Sequence, residues 1–436
     1  MVRAFVPKEF IMKKLLAILM IFALSASLSS CFFIDSLDAL YGTAAGSGTG
    51  SQGGDTTINI GEVKDYGDIT INSSESQSLL AAGKALLSTV SILAGFQTTV
   101  TSSGWPTGGQ QSTQTKDYSS MGSGVIYKLD KQKGDAYIIT NYHVVYDTNS
   151  NTKNKISNNI SLYLYGQEFA DYAIPATYLG GSMTYDIAVL KVEGSAVLMK
   201  SAAIAAAFAD SNTVSVLETA IAIGNPEGGG ISATVGCINV DSEYIKMTGA
   251  DEKTGIELRV MRTDAAVNEG NSGGGLFNAN GEVIGIVNAK LSDTSVDNIG
   301  YAIPSNIAKY AADNIIDLCD GANRTKVKKC RLGITVMTDD AYSVFDTETG
   351  KVHKVETIKV NEVTSDSHAK EALKAGDIIN SVVIGGVEYK VTRLFHVTDS
   401  LFNARVGDKI IFKITRGGNS IETELVVTGE MLVENE

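Results

Sequence analysis

A serine hydroxyl becomes a nucleophile only when a base stands within hydrogen-bond reach and a third group holds that base in the right tautomer. Ser272 sits among glycines in "VNEGNSGGGLFNANGEVIGI", residues 267–286. Histidine is the natural base, because its pKa lies near neutrality. The chain has four: His143, His353, His368 and His396. Only His143, in "IITNYHVVYD", shares the first β-rich region with Ser272. A candidate orienting acid, Asp186, stands in "MTYDIAVLKV", just before an apolar strand. Taken singly, each reads as a structural residue: a strand-end histidine, a strand-start aspartate, a turn serine. Together they lie at strand edges in the order His, Asp, Ser.

That order separates two patterns. Residues 270–274, "GNSGG", satisfy G-x-S-x-G, an elbow that requires strand, turn and helix, with the acid and the histidine after the serine. Here Asn280-Gly281 stands between a short and a longer strand, which is a hairpin signal. The later histidines fall in a different segment. The order His, Asp, Ser on short strands fits the chymotrypsin-type arrangement instead.

The elements that must position these groups are mostly strands. "GSGVIYKL", "DAYIITNYHVV", "ISLYLYG", "DIAVLKV", "TAIAIGNP", "IELRVMRTD" and "GEVIGIV" are short apolar runs between turn signals. Such spacing points to an all-β sandwich or barrel. Residues 77–95 read as a short helix running into a strand. Residues 303–320 change to helical periodicity, with Pro304 near the start and Ser305 as a cap candidate. A second β-rich segment follows, and the boundary falls near 325.

The 436 residues suggest more than one domain. A net charge of −13 argues against nucleic acid, which needs clustered Lys and Arg. Lys13 and Lys14, the apolar run "LLAILMIFAL" and the small residues before Cys31 make a secretory signal. Leu28-Ser29-Ser30-Cys31 resembles the lipobox of bacterial lipoproteins, which implies lipidation at Cys31. Residues 42–54, "GTAAGSGTGSQGG", are a flexible linker by composition. An exported chain permits disulfides, so Cys319 and Cys330 could pair; Cys237 is then expected to be buried rather than reactive. No Cys/His spacing suits a metal, and no metal or other cofactor is expected.

Three segments together resemble the HtrA/Deg family of trypsin-like serine proteases: "TNYHVV", "YDIAVLKV" and "TDAAVNEGNSGGGLFNANGEVIGI". "GSGVIY", "AIGNPEGG" and "IGYAIPSNIAK" fall in the family's order as well. The resemblance covers roughly residues 90 to 430. It implies a mainly β fold: a chymotrypsin-like double β-barrel followed by one PDZ domain. It implies His143 as base, Asp186 as its orienting acid, Ser272 as nucleophile, and the amides of Gly270 and Ser272 as the oxyanion hole. Ala266, six residues before the serine, would lie at the base of the specificity pocket and favour small or medium apolar side chains. Arg331-Leu332-Gly333-Ile334 matches the loop with which such PDZ domains receive a peptide carboxylate. The implied organisation is a signal peptide at 1–31, a tether at 32–76, a protease domain at 77–324 and a PDZ domain at 325–436. The implied partners are misfolded polypeptides, C-terminal peptides, the membrane through the lipid, and other copies in a homotrimer. The implied location is the cell envelope, outside the cytoplasm. The competing reading is a proteolytically silent PDZ scaffold or envelope chaperone. Three residues depart from the family: Glu269 where proline is usual, Tyr142 where asparagine is common, and Glu227 where an aromatic or apolar residue is usual.

Overall fold

The computed structural model describes residues 74–104, 109–167, 170–289, 299–319 and 325–434. The secretory segment, Cys31 and the tether up to residue 73 lie outside the described residues. Helix α1 (Ser74–Leu87) runs into β1 (Thr89–Gly104), as the pattern over 77–95 requires. The hydroxyls of Ser88 and Thr89 both donate to the Ala85 carbonyl, which ends the helix.

The first barrel continues with β2 (Gly109–Asp130), β3 (Asp135–Thr140), the one-turn helix α2 (Tyr142–Val145), β4 (Asn159–Leu164), β5 (Ile174–Ser182) and β6 (Ile187–Val192). The strands run β5-β4-β1-β2-β3-β6, and β5 also pairs with β6, which closes the sheet. The second barrel follows: β7 (Ala207–Phe208), β8 (Thr219–Gly224), β9 (Ser232–Thr248), β10 (Gly255–Thr263), β11 (Gly275–Phe277), β12 (Glu282–Val287) and β13 (Gly300–Pro304). Its order is β11-β8-β9-β10-β13-β12-β7, and the β11–β12 pair closes it.

Successive side chains point to opposite faces of a strand, and here both faces are buried. In β8, Ala220 and Ala222 enter the second barrel's interior while Ile221 and Ile223 join the core between the barrels. In β6, Ala188 and Leu190 fill the first barrel while Ile187 and Val189 face the shared core. This explains why "DIAVLKV" and "TAIAIG" are continuous apolar runs rather than alternating ones. The branched residues Ile187, Val189, Ile221 and Ile223 on the outer faces let the two barrels press together.

Helix α3 (Ser305–Leu318) packs Ile307, Ala308, Ala311, Ala312 and Ile315 into the shared core. Its N-cap is Pro304, not Ser305. The Ser305 hydroxyl donates instead to the Ala209 carbonyl, so the capping expectation is corrected. The chain then enters β14 (Thr325–Lys326), which pairs in parallel with β5, and β15 (Lys328–Cys330). Val327 is still in the barrel core; Cys330 is already in the next one.

The C-terminal body is built from β16 (Ile334–Phe345), β17 (Val352–Val363), β18 (Ile378–Ile384), β19 (Val387–Lys390), α4 (Leu394–Ser400), β20 (Lys409–Arg416), β21 (Asn419–Val426) and β22 (Leu432–Glu434). Its main sheet is ordered β16-β17-β18-β20-β21, so β16 is an edge strand. Cys319 and Cys330 are free thiols, which overturns the disulfide expectation. Cys319 directly follows α3, whereas Cys330 is buried in the C-terminal core. Cys237 is only half-buried, and desolvation together with Asp264 pushes its thiol pKa up.

The two bodies meet through charge and aromatic contacts. Arg259 of β10 pairs with Asp399 of α4, both buried, and its guanidinium lies 3.8 Å from the Phe395 ring centroid. Arg393 pairs with Asp241 at 2.7 Å. His396 is buried beside these groups. Its Nδ1 accepts the Thr392 amide, so the proton sits on Nε2, which has no partner. Burial, with Arg259 and Arg393 nearby, lowers its pKa from 6.5 to about 4, although Asp399 opposes the shift. The unfolded chain therefore takes up a proton that the fold refuses. The associated stability is full above pH ~6.5 and is lost as the pH falls towards ~4. Urea midpoints should drop between pH 7 and pH 4, and His396→Gln should flatten that part of the profile; an unchanged profile would contradict the assignment.

Candidate active site

Asp186 is 3% exposed, and a buried carboxylate needs donors. Three reach it. The His143 backbone amide donates to Oδ1 at 3.0 Å, His143 Nδ1 lies 2.7 Å from Oδ2, and Asn288 Nδ2 donates to Oδ2 at 2.7 Å. The Asp186 carbonyl is fixed too, by Asn141 Nδ2 at 2.9 Å and the Tyr142 amide at 3.2 Å. The residue has φ 48°, a left-handed conformation that costs energy for a side chain bearing Cβ. This dense set of bonds sustains it. The turn closed by Asp186 N–H on the Met183 carbonyl delivers it from β5 to the start of β6.

The sequence placed His143 at a strand end; it lies instead on α2, three residues beyond the end of β3 at Thr140. A carboxylate only accepts, so Nδ1 carries the proton and Nε2 is left with its lone pair. Tyr142, at a position where asparagine is common in the resembled family, stacks on Tyr146 with ring centroids 5.2 Å apart. Its ring supports α2 and makes no hydrogen bond to the three groups, while its backbone amide holds the Asp186 carbonyl.

Ser272 is the second residue of the second of two consecutive turns. The Asn271 amide reaches the Asn268 carbonyl at 3.0 Å, with Gly270 at φ 92°; the Gly274 amide reaches the Asn271 carbonyl at 2.9 Å, with Gly273 at φ 84°. Positive φ at the third position makes each a type II turn, and only glycine adopts it at little cost. At Gly273 a Cβ would also come within 2.2 Å of the Ser123 carbonyl. Glu269 occupies the second position of the first turn and is exposed to solvent. Among the described residues, neither the Gly270 nor the Ser272 amide has a hydrogen-bond partner. Two unpaired amides beside a serine are the arrangement that can receive a developing oxyanion.

The third link is open. Ser272 Oγ accepts the Ala289 amide at 3.2 Å, and no hydrogen bond among the described residues joins it to His143 Nε2. β11 and β12 follow Ser272, joined by a loop in which the Gly281 amide reaches the Asn278 carbonyl and Gly281 has φ 76°. No helix follows, so the elbow pattern is excluded.

The structure joins His143 to Asp186 directly and links Ser272 to them through consecutive residues, Asn288 reaching Asp186 and Ala289 reaching Ser272 Oγ; Gly270 is two residues from Ser272 on the same loop. Ala266 is exposed on the loop after β10, and its carbonyl accepts the Thr234 hydroxyl at 2.8 Å. Arg331, Leu332, Gly333 and Ile334 lie in the C-terminal body and line a cavity of about 730 Å³ with Val397 and Leu401. The Leu332 carbonyl is held by Ser367 and Ala369, and the Gly333 carbonyl by Thr364. The Leu332 and Gly333 amides have no partner among the described residues, whereas the Arg331 amide is bound to the Met431 carbonyl. Gly333 has φ 76°, and a Cβ there would come within 2.7 Å of Ser367 Cα. The same cavity is lined by Tyr185, from the barrel body, and by Lys329.

Sequence reasoning missed Asn288. The available signal was a polar residue closing the apolar run "EVIGIV", at a strand end like the other members. Removing its donor leaves the buried Asp186 carboxylate one hydrogen bond short. Bonds to charged groups contribute about 1.5–3 kcal/mol. Asn288→Ala should therefore slow labelling of Ser272 by a fluorophosphonate roughly 10- to 100-fold, read by mass spectrometry; wild-type labelling would show that Asn288 does not hold Asp186.

The trypsin-like peptidase domain model matches residues 122–286. The serine protease Do-like HtrA of Lactococcus lactis subsp. lactis is 33% identical over 327 residues, covering 73% of this chain and 72% of the relative. The protein of the same name from Bacillus subtilis is 32% identical over 333 residues, covering 73% and 66%. Escherichia coli DegQ, a periplasmic pH-dependent serine endoprotease, is 31% identical over 314 residues, covering 71% and 60%. Among solved structures, the HtrA-type protease AlgW with a decapeptide aligns at a TM-score of 0.47 and 23% identity, over 82% of this chain and 98% of that one. The chain belongs to the HtrA (Do-like) family of trypsin-like serine proteases and is a serine-type endopeptidase.

Proposed function

We propose that Ser272, His143 and Asp186 perform the peptidase chemistry and that the Gly270 and Ser272 amides form the oxyanion hole. One observation carries this reading. Asp186 holds His143 in the tautomer that frees Nε2, while two unpaired amides flank the serine. Catalysis begins when Ser272 Oγ leaves the Ala289 amide and turns to Nε2. His143 takes its proton as Oγ attacks the scissile carbonyl. The carbonyl oxygen becomes an oxyanion and accepts the two amides. His143 then returns the proton to the leaving amine, and water hydrolyses the acyl-enzyme by the same steps in reverse order. Loss of one such donor costs about 10²–10³ in rate in comparable enzymes.

A silent scaffold is the second reading, and the bond from the Ala289 amide to Ser272 Oγ favours it. The comparison of wild type with Ser272→Ala on denatured casein decides between them. We expect Ser272→Ala to abolish turnover, and cuts in the wild-type digest to follow small or medium apolar residues, because Ala266 offers no charge to a basic side chain. Equal and negligible turnover by both proteins would favour the scaffold, and cuts mainly after Lys or Arg would refute the pocket assignment.

The C-terminal body is proposed as a PDZ domain spanning residues 325–436 after a protease domain at 77–324. The edge strand β16 leaves backbone groups for an added peptide strand, and the Leu332 and Gly333 amides suit a terminal carboxylate. Lys329 adds a cation to that cavity. Its ammonium lies 4.6 Å from the Phe402 ring centroid and 3.4 Å from the Tyr185 hydroxyl, and it forms no ion pair among the described residues. Burial lowers its pKa, and an incoming carboxylate would offset that desolvation of the ammonium. Lys329→Met should weaken a free-carboxylate peptide about tenfold in fluorescence anisotropy while leaving its C-terminally amidated form unchanged; equal effects on both would refute the assignment.

The relative DegQ is named periplasmic. With the secretory segment and lipobox-like Cys31, this supports an exported protease tethered by lipid, acting on misfolded proteins at the envelope. A homotrimer rests on family membership alone.

A further inference from the structure

Ser123 is fully buried, the second residue of "GSGVIY" on β2. Both of its donors go to the residues that carry the two free amides. Its backbone N–H donates to the Ser272 carbonyl at 2.8 Å, and its hydroxyl donates to the Gly270 carbonyl at 2.7 Å. We propose that Ser123 is a positioning residue for the oxyanion turn, fixing Gly270 and Ser272 by their carbonyls so that their amides stay free and aimed at the substrate. This rests on the reading of those amides as the oxyanion hole.

The direction of the hydroxyl is set. Ser123 Oγ accepts the Asn225 amide at 2.9 Å, so its own proton is left for the Gly270 carbonyl. Asn225 is fastened in turn. Its Nδ2 donates to Ser91 Oγ at 2.5 Å and its Oδ1 accepts the Gly230 amide at 2.8 Å. The relay therefore runs from β1, through the end of β8, to the turn that bears the nucleophile.

The turn needs such a restraint. The second position of a type II turn is the one where proline pre-sets φ. Here it holds Glu269, exposed and without a hydrogen bond or ion pair among the described residues. Glycine at the third position populates positive and negative φ about equally. Nothing intrinsic to Glu269-Gly270 holds the peptide between them in one orientation. Without the Ser123 hydroxyl, the buried Gly270 carbonyl loses its donor and turns towards another, taking the Gly270 amide out of register.

The test is a double-substitution cycle with peptide substrate and a peptide boronate, which forms a tetrahedral adduct on Ser272 with an oxygen in the oxyanion site. Ser123→Ala is expected to lower kcat 10- to 100-fold, to leave KM within about twofold, and to weaken boronate affinity by the same factor as kcat. Glu269→Pro restrains the same turn from its other side. It is expected to restore at least fivefold of the Ser123→Ala loss while changing the wild type by less than twofold. Wild-type kcat and boronate affinity in Ser123→Ala would overturn the proposal. So would a loss shared by KM and melting temperature that Glu269→Pro does not restore, since that is ordinary destabilisation. Ser272→Ala removes Oγ and keeps both amides, and it separates the two levels: if it retains wild-type turnover Ser272 is not the nucleophile and the oxyanion reading built on it falls as well, whereas an inactive Ser272→Ala with a fully active Ser123→Ala removes only the role of Ser123.

Discussion

A carboxylate at 3% exposure in the seam between two barrels is the constraint on which the rest of this structure depends. It survives only by recruiting donors. Two come from His143, beyond the end of β3 in the first barrel, and one comes from Asn288, past the end of β12 in the second. Satisfying one buried charge thus fixes how the barrels meet at the site. The left-handed backbone of Asp186 is the cost of bringing the group to the seam, and the amide and side-chain bonds on its carbonyl hold it there.

Once the barrels are locked by that carboxylate, the serine needs only a rigid loop. Its two type II turns supply glycines where positive φ is required, and the second of them cannot tolerate a Cβ. Glu269 departs from the residue type that would stiffen the first turn locally. Restraint then has to come from across the interface, from β2. The first barrel therefore contributes twice, once through His143 and once through Ser123.

The three side chains proposed to react stood out in the sequence as candidates because their chemistry restricts residue type, and because the order His, Asp, Ser excludes the elbow topology. The barrels were legible as strands, whereas the burial of both faces of "TAIAIG" and "DIAVLKV" emerged only from the fold. Asn288 was not legible, because an asparagine after an apolar run has no type-specific signature and acts only through a partner 102 residues away. Ser123 was hidden for a related reason. Its role lies in the direction of two hydrogen bonds, and a small polar residue between glycines reads equally well as a space-filler. Ser305 failed as a cap because Pro304 took the capping position and a tertiary acceptor, Ala209, claimed the hydroxyl. The Cys319–Cys330 pairing failed because proximity in sequence spans the crossing from one hydrophobic core to another.

That crossing also bears on how independent the two bodies are. Tyr185, which immediately precedes Asp186, packs edge-on against Phe402 with ring centroids 4.8 Å apart. Arg259 of β10 finds its counter-charge in Asp399 rather than within its own barrel. A buried guanidinium without its carboxylate is strongly unfavourable, and a half-buried tyrosine without its aromatic neighbour exposes apolar surface beside the aspartate turn. The barrel body is therefore not self-sufficient at the point where its most constrained residue sits. The C-terminal body supplies packing and charge there, so the environment of the aspartate turn is set by both bodies together.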